Sequence, residues 1–300
     1  MSFANPVYAA DFADPAVLRA AGCWWAFATN GALGNVQVLR SDDLVRWTPV
    51  GDGLPNPGRW AVAGRTWAPE VTVHADQYVL YYTARVAGSD LQAIGRAVAS
   101  QPQGPYHDHW TEPLIYQSDA GGSIDASPYT DSDGRRYLLW KNDGNAVGRD
   151  CWIYAQELTE SGTALRGSPV RLMTHDQPWE GSVVEAPYLL RRPDGLHLFY
   201  SGNAVGSERY AVGHALCETP LGPCRKPATE PVLRSNDVAA GPGHCVVVEH
   251  DDKTWMVHHA WRPDDVRAHQ HGRAMWVTEV AWQAGRPVCH GPSASVPSSP

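Results

Sequence analysis

The 300-residue sequence predicts an all-β chain folded as a five-bladed β-propeller, and three observations carry that prediction. A polar turn leading into an alternating, aromatic-rich strand recurs five times. A second short strand follows each copy in step, and no stretch sustains the 3.6-residue apolar period of an amphipathic helix. The five copies are Ala21-Gly22 before Cys23–Thr29, Ala75-Asp76-Gln77 before Tyr78–Thr83, Asp133-Gly134 before Arg135–Trp140, Asp194-Gly195 before Leu196–Ser201, and Asp251-Asp252-Lys253 before Thr254–His259. Counted from Gly22 to Gln77, Gly134, Gly195 and Lys253, the steps are 55, 57, 61 and 58 residues. Asp-Gly ahead of an alternating run is a hairpin signal, because the turn needs a positive φ that glycine adopts without strain. The second strands begin at Val36, Ile94, Trp152, Tyr210 and Ala274. Each repeat is long enough for a four-stranded blade. A sandwich or jelly roll would also show many short strands, but not two patterns recurring in step. One propeller is therefore expected over 1–290 as a single domain. Residues 291–300, ending Ser-Ala-Ser-Val-Pro-Ser-Ser-Pro, are expected to form a frayed tail.

Composition narrows the function classes. Hydrophobic residues make up 43% and charged residues 19%, which is ordinary for a globular chain. The net charge of -8, with no basic block, argues against nucleic acid and anionic membranes as partners. Neutral substrates suit it better. The 13 Trp and 12 Tyr suit stacking on sugars, although aromatic residues also favour strands. No apolar run is long enough to span a membrane. The start, Met-Ser-Phe-Ala-Asn-Pro, has no basic or apolar leader, so a cytoplasmic location is expected, or a secreted one if a signal peptide has been removed. Six scattered cysteines without a C-x-x-C pair disfavour zinc. Cys217 and Cys224 can pair outside the cell but are expected as thiols in the cytosol.

The strand ahead of each turn holds the candidate site. In order these strands carry Asp11-Phe-Ala-Asp14-Pro, Thr66-Trp67-Ala-Pro-Glu70, Ser123-Ile-Asp125-Ala-Ser-Pro, Val184-Glu185-Ala-Pro and Gly241-Pro-Gly-His244. Asp14, Asp125, Glu185 and His244 lie 8, 9, 10 and 9 residues before their turn landmarks. Blades related by rotation bring equivalent positions together, so these four should converge on one end of the channel. A lone Asp-Pro is more often a turn former, and a lone histidine more often structural. Four at equivalent repeat positions are harder to explain that way, since clustered carboxylates repel one another. Glu70 lies beyond Pro69 and is expected to point out of the cavity as a structural residue. Two carboxylates across a cleft suit glycoside hydrolysis: one protonates the leaving oxygen and the other activates water or attacks the sugar. A third carboxylate raises the pKa of the acid.

These motifs, with Trp179-Glu-Gly181, Asp131-Ser-Asp-Gly134 and the late Gly272-Arg273-Ala-Met275, resemble glycoside hydrolase family 43 in family order over nearly the whole chain. The resemblance implies a five-bladed propeller that inverts anomeric configuration, with Asp14 as general base, Glu185 as general acid and Asp125 tuning that acid. It implies that Arg273 contacts the innermost sugar and that Trp67 lines the pocket. His244 would lie near the cavity floor beside the sugar, where some members hold a calcium ion through a histidine and waters. No cofactor is implied for the chemistry itself. The runs Trp179–Pro187 and Cys217–Cys224 look most like the branch of exo-acting arabinofuranosidases on α-1,5-linked arabinan. The partner expected is therefore an arabinose- or xylose-containing oligo- or polysaccharide. A β-xylosidase of the same fold is the alternative, and a sugar-binding propeller without turnover is the reading from a different class.

Overall fold

The computed structural model describes residues 3–75 and 77–296. Five antiparallel sheets follow one another along the chain. Ahead of them comes β1 (Phe3–Ala4). Blade 1 contains β2 (Ala16–Ala20), β3 (Cys23–Ala28), β4 (Gln37–Ser41) and β5 (Thr48–Asp52). Blade 2 has β6 (Ala61–His74), β7 (Gln77–Val86) and β8 (Gln92–Ala99), with isolated bridges Val98–His107 and Ile94–Ile115 along the outer edge of β8. Blade 3 comprises β9 (Ser123–Thr130), β10 (Arg136–Asn142), β11 (Trp152–Leu158) and β12 (Leu165–Thr174). Blade 4 is β13 (Val184–Arg192), β14 (Gly195–Gly202), β15 (Ala211–Cys217) and β16 (Cys224–Arg225). Blade 5 is β17 (Ala240–His250), β18 (Lys253–Trp261), β19 (Ala274–Gln283) and β20 (Arg286–Cys289), and β21 (Ser295–Val296) follows it. The expected five-bladed propeller is the fold observed. Asp76, part of the second expected turn, lies outside the described residues.

Both faces of a blade are covered by its neighbours, which is why the strands that follow the turns, β3, β7, β10, β14 and β18, are largely buried. All six residues of β3 are buried. The core is accordingly a set of clusters between blades. Phe27 and Val38 pack with Leu80 and Tyr82, and Val79 and Tyr81 pack with Leu138 and Trp140. Leu139 and Ile153 meet Leu198 and Tyr200, while Phe199 and Val212 meet Val247 and Met256. Trp24 and Leu39 close the ring on Val257 and Met275.

The two chain ends complete that closure. Phe3–Ala4 pair with Ser295–Val296, and Tyr8 exchanges backbone hydrogen bonds with Met275. The Asn5 side chain donates to the carbonyls of Val277 (2.8 Å) and Ser293 (3.0 Å) and accepts from the Val277 N–H (3.0 Å). Ser295 and Val296, which the composition assigns to a frayed tail, are thus a paired strand, and Val296 is buried because Phe3 and Trp255 lie in the same cluster. Residues 297–300 of that tail lie outside the described residues. Cys217 and Cys224, opposite each other on β15 and β16, are joined by a disulfide, where the cytosolic expectation was free thiols. No helix among the described residues is long and apolar enough to cross a membrane.

One irregularity recurs in all five blades and positions the site. The inner segments each place one non-glycine residue in the left-handed region: Asp14 (φ 54°), Ala68 (45°), Asp125 (59°), Ala186 (50°) and His244 (47°). In four blades the residue before it lies opposite Thr83, Lys141, Ser201 or His259 on the second strand; in blade 1, Ala13 accepts the Thr29 N–H. The residue two past it lies opposite Phe27, Tyr81, Leu139, Phe199 or Val257, two positions earlier on the same strand. Three steps on the inner strand therefore face two on its partner, which is a bulge with its first residue left-handed. Each such residue costs about 1–2 kcal/mol. Its N–H, lost to the ladder, finds a side-chain acceptor instead.

Candidate active site

The five bulges aim side chains into one end of the axial channel. Asp14, Asp125 and His244 occupy the left-handed position itself. Glu185 does not: it precedes Ala186, and its place is shared by Ala13, Trp67, Ile124 and Gly243. The spacing from the turns, 10 residues for Glu185 against 8 or 9 for the others, already contained that offset. The sequence-level equivalence of the four residues is therefore corrected by one position for Glu185. Its side chain still reaches the site: Asp125 feels the charges of His244, Glu185 and Asp14, and His244 acts on Glu185 and Asp14 as well.

Asp14 is buried and heavily paired. Its Oδ1 accepts from Arg273 at 2.7 Å and its Oδ2 from the Thr29 hydroxyl at 2.5 Å. Nδ1 of His259 lies 3.2 Å from Oδ1 and that of His244 3.5 Å away. Burial opposes ionisation, but Arg273, followed by His244, outweighs it and holds the carboxyl well below the usual range. The Asp14 N–H donates to His259 Nδ1 at 3.1 Å, and burial pushes that imidazole down to about 3, so it is neutral. Arg273 is itself fixed: its N–H donates to Asp11, and the guanidinium lies over the Trp261 ring at 6.0 Å. Gly272 (φ 78°) makes this possible, because a Cβ there would stand 2.3 Å from the Asp11 carboxylate carbon.

Asp125 and Glu185 are driven apart. Burial, aided by the charge of Glu185, pushes Asp125 up to about 6. Its Oδ2 accepts the Ala186 N–H at 2.9 Å. Glu185 accepts from Lys141 Nζ at 2.8 Å on Oε2 and from the Tyr210 hydroxyl at 2.7 Å on Oε1. Against burial, these two partners hold it below the usual carboxylate range. Lys141 is fully buried and also lies 3.5 Å from Asp143. One side of the rim thus carries a firmly ionised carboxylate, and the other a carboxyl pair able to keep a proton near neutral pH. That is the arrangement needed to activate a water on one face of a glycosidic bond and protonate its oxygen on the other.

Trp67 occupies the Glu185-equivalent place on β6 and is partly exposed, but it touches none of the three carboxylates through a hydrogen bond. Glu70 departs from its expected outward orientation. Ser127 and the charge of Asp125, both on the next blade, act on it, and its own charge is felt by Tyr188 of blade 4, so it lies toward the channel. A calcium ion takes six to eight oxygen ligands. Among the described residues no group of three or more His, Cys, Asp or Glu is arranged to hold a metal. His244 would offer a single imidazole, already turned toward Asp14, and waters would have to supply the rest. Sequence reasoning missed Thr29, Lys141, Tyr210 and His259. A signal existed for Lys141: it is one of three lysines in the chain, and it stands in a buried strand at the place where the other repeats carry Thr29, Thr83, Ser201 and His259.

Comparison with known proteins agrees with this geometry. A family model described as glycosyl hydrolases family 43 matches residues 3–287. The chain is 27% identical over 285 residues to the β-D-galactofuranosidase xynD of Aspergillus niger, covering 89% of this chain and 79% of that one. It is 24% identical over 285 residues to the extracellular exo-α-(1→5)-L-arabinofuranosidase ArbA of Cellvibrio japonicus, covering 85% and 80%. β-Xylosidases and endo-arabinanases stand among the relatives at 24–28% identity, and the chain spans only 55% of the β-xylosidase of Bacillus subtilis. A crystal structure of a thermostable family-43 glycoside hydrolase superposes with a TM-score of 0.87 at 27% identity, covering 99% of this chain and 98% of the other.

Proposed function

The chain belongs to glycosyl hydrolases family 43, and we propose that within this family it is an inverting, exo-acting α-L-arabinofuranosidase that releases arabinose from α-1,5-linked arabinan or its oligosaccharides. The observation that carries the reading is the opposed electrostatics of the rim. Asp14, held ionised by Arg273 and Thr29, is the general base that orients and deprotonates the attacking water. Glu185 is the general acid, and Asp125 keeps the proton that the acid needs within the same cluster. Substrate that excludes water from the rim disfavours the Glu185 anion and moves the proton onto it. Arg273, whose guanidinium lies over the Trp261 ring, and the partly exposed Trp67 are the groups we assign to sugar contact.

The recession of the carboxylates, with Asp14 and Asp125 buried and Glu185 partly so, supports exo action, because recessed groups are reached more readily by a chain end than by a chain middle. The similarity to ArbA supports arabinofuranose. The similarity to xynD favours a second reading, β-D-galactofuranoside hydrolysis. That sugar's ring has the same relative configuration as α-L-arabinofuranose and carries a longer exocyclic arm.

Rates on nitrophenyl α-L-arabinofuranoside, β-D-galactofuranoside and β-D-xylopyranoside separate the readings, with the arabinofuranoside expected to dominate. A dominant xyloside rate would overturn the choice. Asp14→Ala and Glu185→Ala are each expected to lower turnover by about 10²-fold or more while remaining folded. Proton NMR of the first-formed anomer should show inversion.

A further inference from the structure

Lys141 breaks the rule that the other four blades obey. The side chain at its position normally accepts the N–H of the left-handed residue on the following blade. Thr29 accepts from Ala68 at 3.0 Å, Thr83 from Asp125 at 3.1 Å, Ser201 from His244 at 2.8 Å, and His259 from Asp14 at 3.1 Å. A lysine ammonium has three donors and no acceptor, so it cannot serve Ala186 in this way. The orphaned Ala186 N–H turns to Asp125 Oδ2 instead, at 2.9 Å. The ammonium, with no exposed surface, reaches across the blade boundary to Glu185 Oε2 at 2.8 Å. A single departure from the repeat therefore does two things. It fixes the Asp125 carboxylate by one backbone donor, and it sets a buried cation against Glu185.

We propose that Lys141 is the positioning residue that makes the third blade boundary catalytic, by holding Glu185 in the charged, oriented state from which it takes up its proton and by diverting the Ala186 N–H onto Asp125. This rests on the assignment of Glu185 as the general acid. The groups facing Glu185 are Lys141 and Asp143 from the β10 end, Cys151 ahead of β11, Asp125 from β9, Tyr210 ahead of β15 and His244 from β17. Lys141 is the one permanently cationic group among them, and it has no other role in view: it is too deep to touch substrate. Asp143, 3.5 Å from its Nζ, shares the ammonium and keeps it from swinging away.

Removal of the cation favours protonated Glu185, so the pH at which activity falls on the alkaline side should rise. Two variants keep the test sharp. Lys141→Met preserves bulk without charge, and Lys141→Thr supplies the threonine found at this place in two other blades, so the Ala186 N–H retains an acceptor and the fold a capped bulge. For both, the alkaline limb of kcat/KM is expected to move up by about one pH unit or more. The rate loss should be larger on a poor leaving group than on a dinitrophenyl glycoside, since only the former needs the acid. Carbon-13 NMR titration of the Glu185 carboxyl should show the same upward displacement without any turnover. Folded variants with the wild-type limb and the wild-type Glu185 titration would overturn the proposal. If Glu185→Ala itself keeps full activity on the poor leaving group, the acid assignment fails instead, and the Lys141 titration result still stands or falls by itself.

Discussion

Glu70 stands two residues beyond the left-handed Ala68, level with Ser127 of the next blade. Burial, and to a smaller extent the charge of Asp125, pushes its carboxyl up to about 8. In the unfolded chain the same group titrates near 4.5. Because the folded value is the higher one, the favourable contribution is fully present below the unfolded pKa and is lost as pH rises from there toward 8. Glu70→Gln keeps the shape and removes the titration. Its thermal stability should match wild type near pH 4 and exceed it at pH 8, by about 1–3 kcal/mol after allowance for water access. Parallel melting curves across that range would show that Glu70 is ionised in the folded protein. Asp14 has the opposite sign: Arg273 depresses it, so its contribution is present above the ordinary carboxylate range and fades as acid is added. The two carboxylates differ in partners, since Asp14 has a guanidinium 2.7 Å away and Glu70 has a neutral hydroxyl.

At the scale of the element, the bulge on β17 and the loop before β15 cooperate through one missing side chain. Gly243 lies where a Cβ would stand 2.0 Å from the Tyr210 ring, and that ring stacks on His259 with centroids 5.7 Å apart. The strand must therefore be bare at this place for Tyr210 to reach Glu185 Oε1. Gly243→Ala should displace the ring, costing about 1–3 kcal/mol of stability and lowering kcat more than KM rises. Tyr210→Phe separates the two effects: it leaves the packing and removes only the hydroxyl, so Glu185 should titrate higher while the melting temperature changes less than in Gly243→Ala. If Gly243→Ala melts and turns over like wild type, the close approach is not required. Elsewhere on the same rim, Glu180 holds the Trp179–Gly181 turn through the Tyr200 hydroxyl (2.6 Å) and Lys226 (2.7 Å), which anchors the chain just before β13 delivers Glu185.

For the whole molecule, the ring is closed by non-covalent pairing of the two termini, so blades 1 and 5 depend on it. Deletion of residues 1–8 removes the Phe3–Val296 pair, the three Asn5 side-chain hydrogen bonds, the Asn5 N–H bond to the Ala294 carbonyl and the Tyr8–Met275 exchange. Net hydrogen-bond contributions of about 1 kcal/mol each imply a melting temperature lower by about 5 °C or more. Activity at low temperature should fall less than stability does, because Phe12, which donates to the Arg273 carbonyl at 2.8 Å, is retained. Unchanged melting of the truncated protein would place the closure in the interblade cluster of Trp24, Val257 and Met275 alone.

Blade number, the recurring turns and the inner-strand acids were legible in the sequence because each is a local property. A turn residue, an alternating run and an acid at a fixed distance from the turn can be read without knowing what lies across the channel. Asp14, Asp125, Glu185 and His244 were found in this way, and the structure brings them to one rim. What the tertiary structure decided is everything that crosses a blade boundary. The bulge puts Glu185 one position out of step with Asp125, and no local signal distinguishes a left-handed Asp125 from an extended one. Glu70 faces the channel because the extra residue at Ala68 and Pro69 resets the alternation that would otherwise turn it outward. Lys141 is a lone lysine in a strand until blade 4 places a carboxylate 2.8 Å from it, and Ser295–Val296 read as a tail until Phe3 arrives from the other end of the chain. Repeat periodicity determines where side chains can go, whereas the partner each one meets is set by ring closure, and charge at this site is set by partners.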